Sequence, residues 1–98
     1  MSIQNTTVSA SLTAQNTGTT GLGVGQNKKV NASISGTFVG TVHVQRKQTG
    51  SADSTYIDLY SVTAPSEKII ENVGKWTYRI FCKTGNFTSG TIKALLTF

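Results

Sequence analysis

The segment Lys75 to Lys83 (KWTYRIFCK) is the strongest constraint on what this chain can become. Trp76, Tyr78, Ile80 and Cys82 fall on one face of a two-residue repeat, with Lys75, Thr77, Arg79 and Lys83 on the other. That period belongs to a strand buried on one side, and Phe81 is its one exception on the polar side. The same alternation recurs in Val30, Ala32 and Ile34, in Val42 and Val44 with His43 and Gln45 opposite, in Ile57 and Leu59 opposite Tyr56, Asp58 and Tyr60, and in Ile92, Ala94, Leu96 and Phe98. Turn-rich spacers, QTGSADS and TGNFTSG, separate these runs. Ser66 to Asn72 (SEKIIEN), after Pro65, reads either as one helical turn or as a short edge strand.

Five or six strands at intervals of about ten residues in 98 residues predict one all-β domain: a small antiparallel β-sandwich or jelly-roll-like barrel. The N-terminal block is compositionally distinct. Of its first 27 residues, 19 are Ser, Thr, Asn, Gln or Gly, and no charged side chain precedes Lys28. The reading therefore divides the chain into an extended polar N-terminal arm, 1–27, and a sandwich, 28–98. Within the arm, Val8, Ala10 and Leu12 alternate with Ser9 and Ser11 as a weak strand that needs something to lie against. The stretch NTGTTGLGVGQ is too glycine-rich to be expected in a core.

Little in the sequence points to chemistry. His43 is the single histidine and Cys82 the single cysteine, so neither a metal set, nor an imidazole relay, nor a disulfide framework is expected. Cys82 shares the core face of its strand and reads as a buried apolar group. The four acids, Asp53, Asp58, Glu67 and Glu71, are dispersed, and GLGVG lacks the Gly-Lys-Ser/Thr and the following helix of a phosphate loop. The expectation is a non-enzyme without cofactor or metal. The N-terminus has no basic region ahead of an apolar stretch, and no run approaches 18 apolar residues, so neither a leader nor a membrane span is expected. The formal charge of +5 raises nucleic acid as a partner, but the basic residues are scattered, and Lys28-Lys29 and Arg46-Lys47 are the only adjacent pairs. A solvated mixed surface suits that scatter better, with an anionic membrane or an acidic protein partner as the other candidates.

The run Ser35-Gly36-Thr37-Phe38-Val39-Gly40-Thr41-Val42-His43-Val44-Gln45-Arg46, then Trp76-Thr77-Tyr78-Arg79-Ile80-Phe81-Cys82 and Thr88-Ser89-Gly90-Thr91-Ile92, resembles small β-rich virion proteins of tailed bacteriophages. The likeness lies in a G-T-F-x-G-T-V-x-x-Q-R opening and a closing W-x-Y-R-x-x-C with T-S-G-T. It covers residues 33 to 98 and is most like head decoration (cement) proteins. The resemblance implies a virion structural protein, assembled in the bacterial host cytoplasm, that sits on the capsid surface. Its partners would be the major capsid protein and other copies of itself, often as trimers. On this reading the N-terminal strand is a strap adding to a neighbour's sheet, and Val8, Ala10, Leu12, Lys28, Lys29, His43 and Arg46 are the candidate contacts. The alternative implied by the same build is a tail, baseplate or fibre module binding a host glycan through exposed aromatics.

Overall fold

A computed structural model describes residues 6–98, and they form an all-β sandwich of short antiparallel strands. In chain order these are β1 (Thr7–Leu12), β2 (Thr17–Gly18), β3 (Leu22–Val24), β4 (Lys28–Ser35), β5 (Phe38–Gly40), β6 (Val42–Gln48), β7 (Ile57–Val62), β8 (Ser66–Asn72), β9 (Trp76–Cys82), β10 (Phe87–Gly90) and β11 (Ile92–Thr97). A single 3-10 turn, Asp53–Thr55, precedes β7. One sheet has the order β1-β11-β4-β8; the other has β2-β9-β6-β7, with β3 also on β9.

The alternating side chains meet between the sheets. Val30, Ala32 and Ile34 of β4 and Ile92, Ala94 and Leu96 of β11 face Val42 and Val44 of β6 and Tyr78, Ile80 and Cys82 of β9, all nearly or fully buried. Cys82 is therefore a core residue, and burial pushes its thiol pKa up. Tyr60 departs from the simple alternation. A bulge between Val44 and Gln45 shifts the β6–β7 register, so Tyr60 lies opposite Val44 and packs on the core together with Leu59.

The chain passes from the first sheet to the second through β5 and returns through β10, and these two crossovers pair with each other. Gly36 and Gly90 make this corner possible. Both have left-handed φ (+95° and +96°), and a Cβ on Gly36 would strike the Thr91 carbonyl while one on Gly90 would strike that of Thr37. Thr91 N–H donates to the Thr37 carbonyl at 2.8 Å, and Thr41 N–H to that of Asn86 at 2.8 Å. The glycine motifs on which the resemblance rests are thus the two halves of one corner.

Two expectations need correcting. From Thr7 onward the expected arm is built into both sheets, β1 on β11 and β2 and β3 on β9. Leu12, Leu22 and Val24 are only 2–3% exposed, because β1 widens one sheet beside β11 and β3 widens the other beside β9, and their inward side chains join the core. The first five residues of the expected arm lie outside the described residues. The spacer after β9 contains β10. Of the two readings of Ser66–Asn72 the edge strand holds, paired along its whole length with β4.

Candidate functional site

The positive charge collects at one end of the sandwich. Lys28 and Lys29 open β4 opposite Asn72 and Glu71. Gln48 and Lys47, at the end of β6, lie opposite Trp76 and Thr77, and Val24 lies opposite Trp76 on the other side. Arg46 stacks on Trp76 with its guanidinium carbon 4.0 Å from the ring centroid. Lys75 leads into β9 and its carbonyl accepts from Thr49 N–H at 3.4 Å. Five cations, Lys28, Lys29, Arg46, Lys47 and Lys75, thus stand near two carboxylates, Glu71 and Asp53. Among the described residues only Lys47 of the five has an ion pair, to Asp53 at 2.6 Å. Beside them Val73 is 75% and Ile57 50% exposed.

One buried side chain holds the loops of this end together. Asn72, 1% exposed, donates from Nδ2 to the Gly25 carbonyl (2.6 Å) and the Gly74 carbonyl (2.9 Å), and its Oδ1 accepts from the Tyr78 hydroxyl (2.8 Å). Trp76 Nε1 donates to the Val73 carbonyl at 3.0 Å. The β3–β4 and β8–β9 loops are therefore anchored to the core, so the lysines project from a fixed frame.

A second arrangement covers the outer face of the β2-β9-β6-β7 sheet. Lys83 Nζ contacts Asp58 Oδ2 at 2.5 Å, Gln45 Nε2 donates to Asp58 Oδ1 at 2.8 Å, and Arg79 Nε donates to Gln45 Oε1 at 2.7 Å. The Arg79 guanidinium then lies 3.9 Å from the Tyr56 ring centroid and 4.2 Å from that of Phe81, which explains Phe81 on a polar face. The hydrogen bonds from Lys83 and Gln45 hold the Asp58 carboxyl below its usual pKa. Burial raises the Tyr56 hydroxyl and lowers Arg79.

Of the sequence-derived contacts, Lys28, Lys29 and Arg46 converge on the basic end. His43 does not. It lies on the outer face opposite Phe81 and Ser61, its Nδ1 buried without a hydrogen-bond partner. Val8 and Ala10 pack half-buried against the core and Leu12 is inside it, so their apolar side chains serve this chain's own sandwich. Lys47, Lys75, Val73 and Ile57 join the site only through the topology. Among the described residues no group of three His, Cys, Asp or Glu side chains is placed to hold a metal. Four rings carry a cation over one face: Arg46 over Trp76, Arg79 over Tyr56 and Phe81, and Lys68 at 4.5 Å from the Tyr60 centroid. Compared with protein-family models, curated proteins and solved structures, the chain finds no match.

Proposed function

We propose that this chain is a virion structural protein, a head decoration protein that docks its basic end on an acidic surface of the assembled capsid lattice. The observation that carries the reading is that Lys28, Lys29 and Lys75, which have no ion pair among the described residues, share one end of the sandwich with exposed Val73, on loops fixed by Asn72. Apolar contact flanked by unpaired cations suits a protein surface of opposite charge, where the charges set orientation and encounter rate and the apolar groups supply burial. The glycine corner gives the G-T-F-x-G and T-S-G-T parts of the resemblance a role in the fold. Binding to the closed shell and not to the free subunit stabilises the shell by mass action. β1 is paired within its own sheet, so bridging rests on the basic end and not on a strap. The covered ring faces weigh against the glycan-binding alternative, because a sugar stacks on an open ring.

The test is a purified particle. Hundreds of copies on filled heads, released by salt and lost on Lys28→Glu/Lys75→Glu substitution, fit the proposal. A handful of copies confined to the tail, or binding indifferent to both salt and charge reversal, ends it.

A further inference from the structure

The sandwich has four sheet edges, and three are protected against pairing with another chain. The β8 edge carries Glu67, Lys68 and Glu71; β7 is bulged against β6 and carries Asp58; β2 and β3 are fragments of two and three residues. Charges, bulges and short strands are the usual devices that blunt an edge. β1 has none of them. It runs six residues in unbroken register with β11, without charge, proline or bulge.

The hydrogen-bond phase shows which groups face outward. Thr6 and Phe98 exchange both of their backbone hydrogen bonds, each 3.1 Å. In an antiparallel ladder such pairs recur every second residue, so Val8, Ala10 and Leu12 bond to β11 while Thr7, Ser9 and Ser11 turn their N–H and C=O to the open side. Among the described residues no strand pairs there.

We infer that β1 is the interface of a two-fold homodimer, in which the β1 strands of two copies pair antiparallel about Ser9 and join two four-stranded sheets into one of eight. The register follows from the phase. Ser9 meets Ser9 and Thr7 meets Ser11, using every outward backbone group, while Val8 stands beside Ala10 of the partner copy on the core side. The contact is isologous and closes at two copies.

The phase selects a second copy as the occupant, because pairing about Ser9 uses the outward groups of both strands at once. Two molecules of net charge +5 repel wherever their basic residues meet, but β1 carries no charge, and of its register partners on β11 only Lys93, opposite Ser11, does. β1 is a strand where like can meet like, and added salt strengthens the contact by screening the rest. The dimer stands on edge geometry alone, so it holds or fails independently of the capsid proposal.

The test uses sedimentation of the full chain across a concentration series, with Ser9→Pro and Ser9→Lys. Proline at position 9 removes an N–H that bonds to nothing within the monomer and is tolerated on an edge strand. Lysine places a charge beside the dyad. Wild type should reach twice the 10.4 kDa chain mass, and both variants should stay at the single mass with unchanged circular dichroism. Amide exchange reads the same event in the unsubstituted fold: Thr7, Ser9 and Ser11 should slow as concentration rises. A wild type that remains monomeric, a trimer, variants that still dimerise while folded, or exchange at these three amides that ignores concentration would each overturn the inference.

Discussion

Replacing Asn72 with Ala removes one side chain that satisfies three groups at once: two loop carbonyls and the hydroxyl of Tyr78, a residue with no exposed surface. The carbonyls of Gly25 and Gly74 lie near the surface and can turn to water, so each loses about the net worth of a hydrogen bond, ~1 kcal/mol or less. The Tyr78 hydroxyl has no such recourse, and an orphaned buried donor costs ~1–3 kcal/mol. The sum is about 3 kcal/mol, a large part of the ~5–15 kcal/mol that a domain of this kind possesses. With a urea m-value of about 1 kcal/mol/M, the midpoint should fall by roughly 2–3 M. Tyr78→Phe alone should cost ~1 kcal/mol, since it orphans only Asn72 Oδ1. The decisive measurement is the double substitution. In the Asn72→Ala background, Tyr78→Phe removes the orphaned hydroxyl, so it should be neutral or stabilising where in wild type it destabilises. Additive effects of the two changes would show that the hydroxyl is solvated by another route and that Asn72 does not anchor the basic end.

Two further outcomes follow from the corner and from the outer network. Gly90→Ala combines left-handed strain with a Cβ 2.7 Å from Phe38 Cα and against the Thr37 carbonyl, so it should cost about 3 kcal/mol or more and lower the thermal midpoint by at least ~10 °C. Gly50→Ala, at φ +90° with nothing within 4 Å of the added carbon, should cost only the strain, ~1 kcal/mol; equal losses at the two sites would refute the close-approach argument. Asp58 is held below its ordinary pKa of 3.8 by Lys83 and Gln45. A carboxyl depressed on folding contributes stability above its unfolded pKa and loses it as pH falls through the folded value. Thermal midpoints should therefore decline below about pH 4, and Lys83→Met should make that decline shallower. An unchanged acid limb in the variant would mean that the ion pair contributes nothing.

The parts of the fold that could be read from sequence are those where burial alone decides. In β4, β6, β9 and β11 large apolar residues alternate with polar ones, and a two-residue period has only one interpretation. β2 and β3 escaped because their pairing is decided by β9: a side chain at Gly18 would lie 2.5 Å from the Phe81 ring and 2.7 Å from the Ile80 carbonyl, so a glycine that reads as flexibility is in fact a close contact. The basic end was half legible. Lys28, Lys29 and Arg46 stand out as adjacent basic pairs, whereas Lys75, Val73 and Ile57 join them only once β8 returns beside β4 and β9 beside β6.

The same logic reverses the meaning of the charge-free N-terminus. As sequence alone, its small polar residues predict a strap with no fold of its own. As a strand it keeps the alternation, spends Val8, Ala10 and Leu12 on the core, and leaves Ser9 and its neighbours facing outward with a bare backbone. Small uncharged side chains are what an edge needs if another backbone is to approach within hydrogen-bonding distance. The feature that disqualifies the segment as an arm, its continuous pairing with β11, is what makes its other side a rigid template for a second chain.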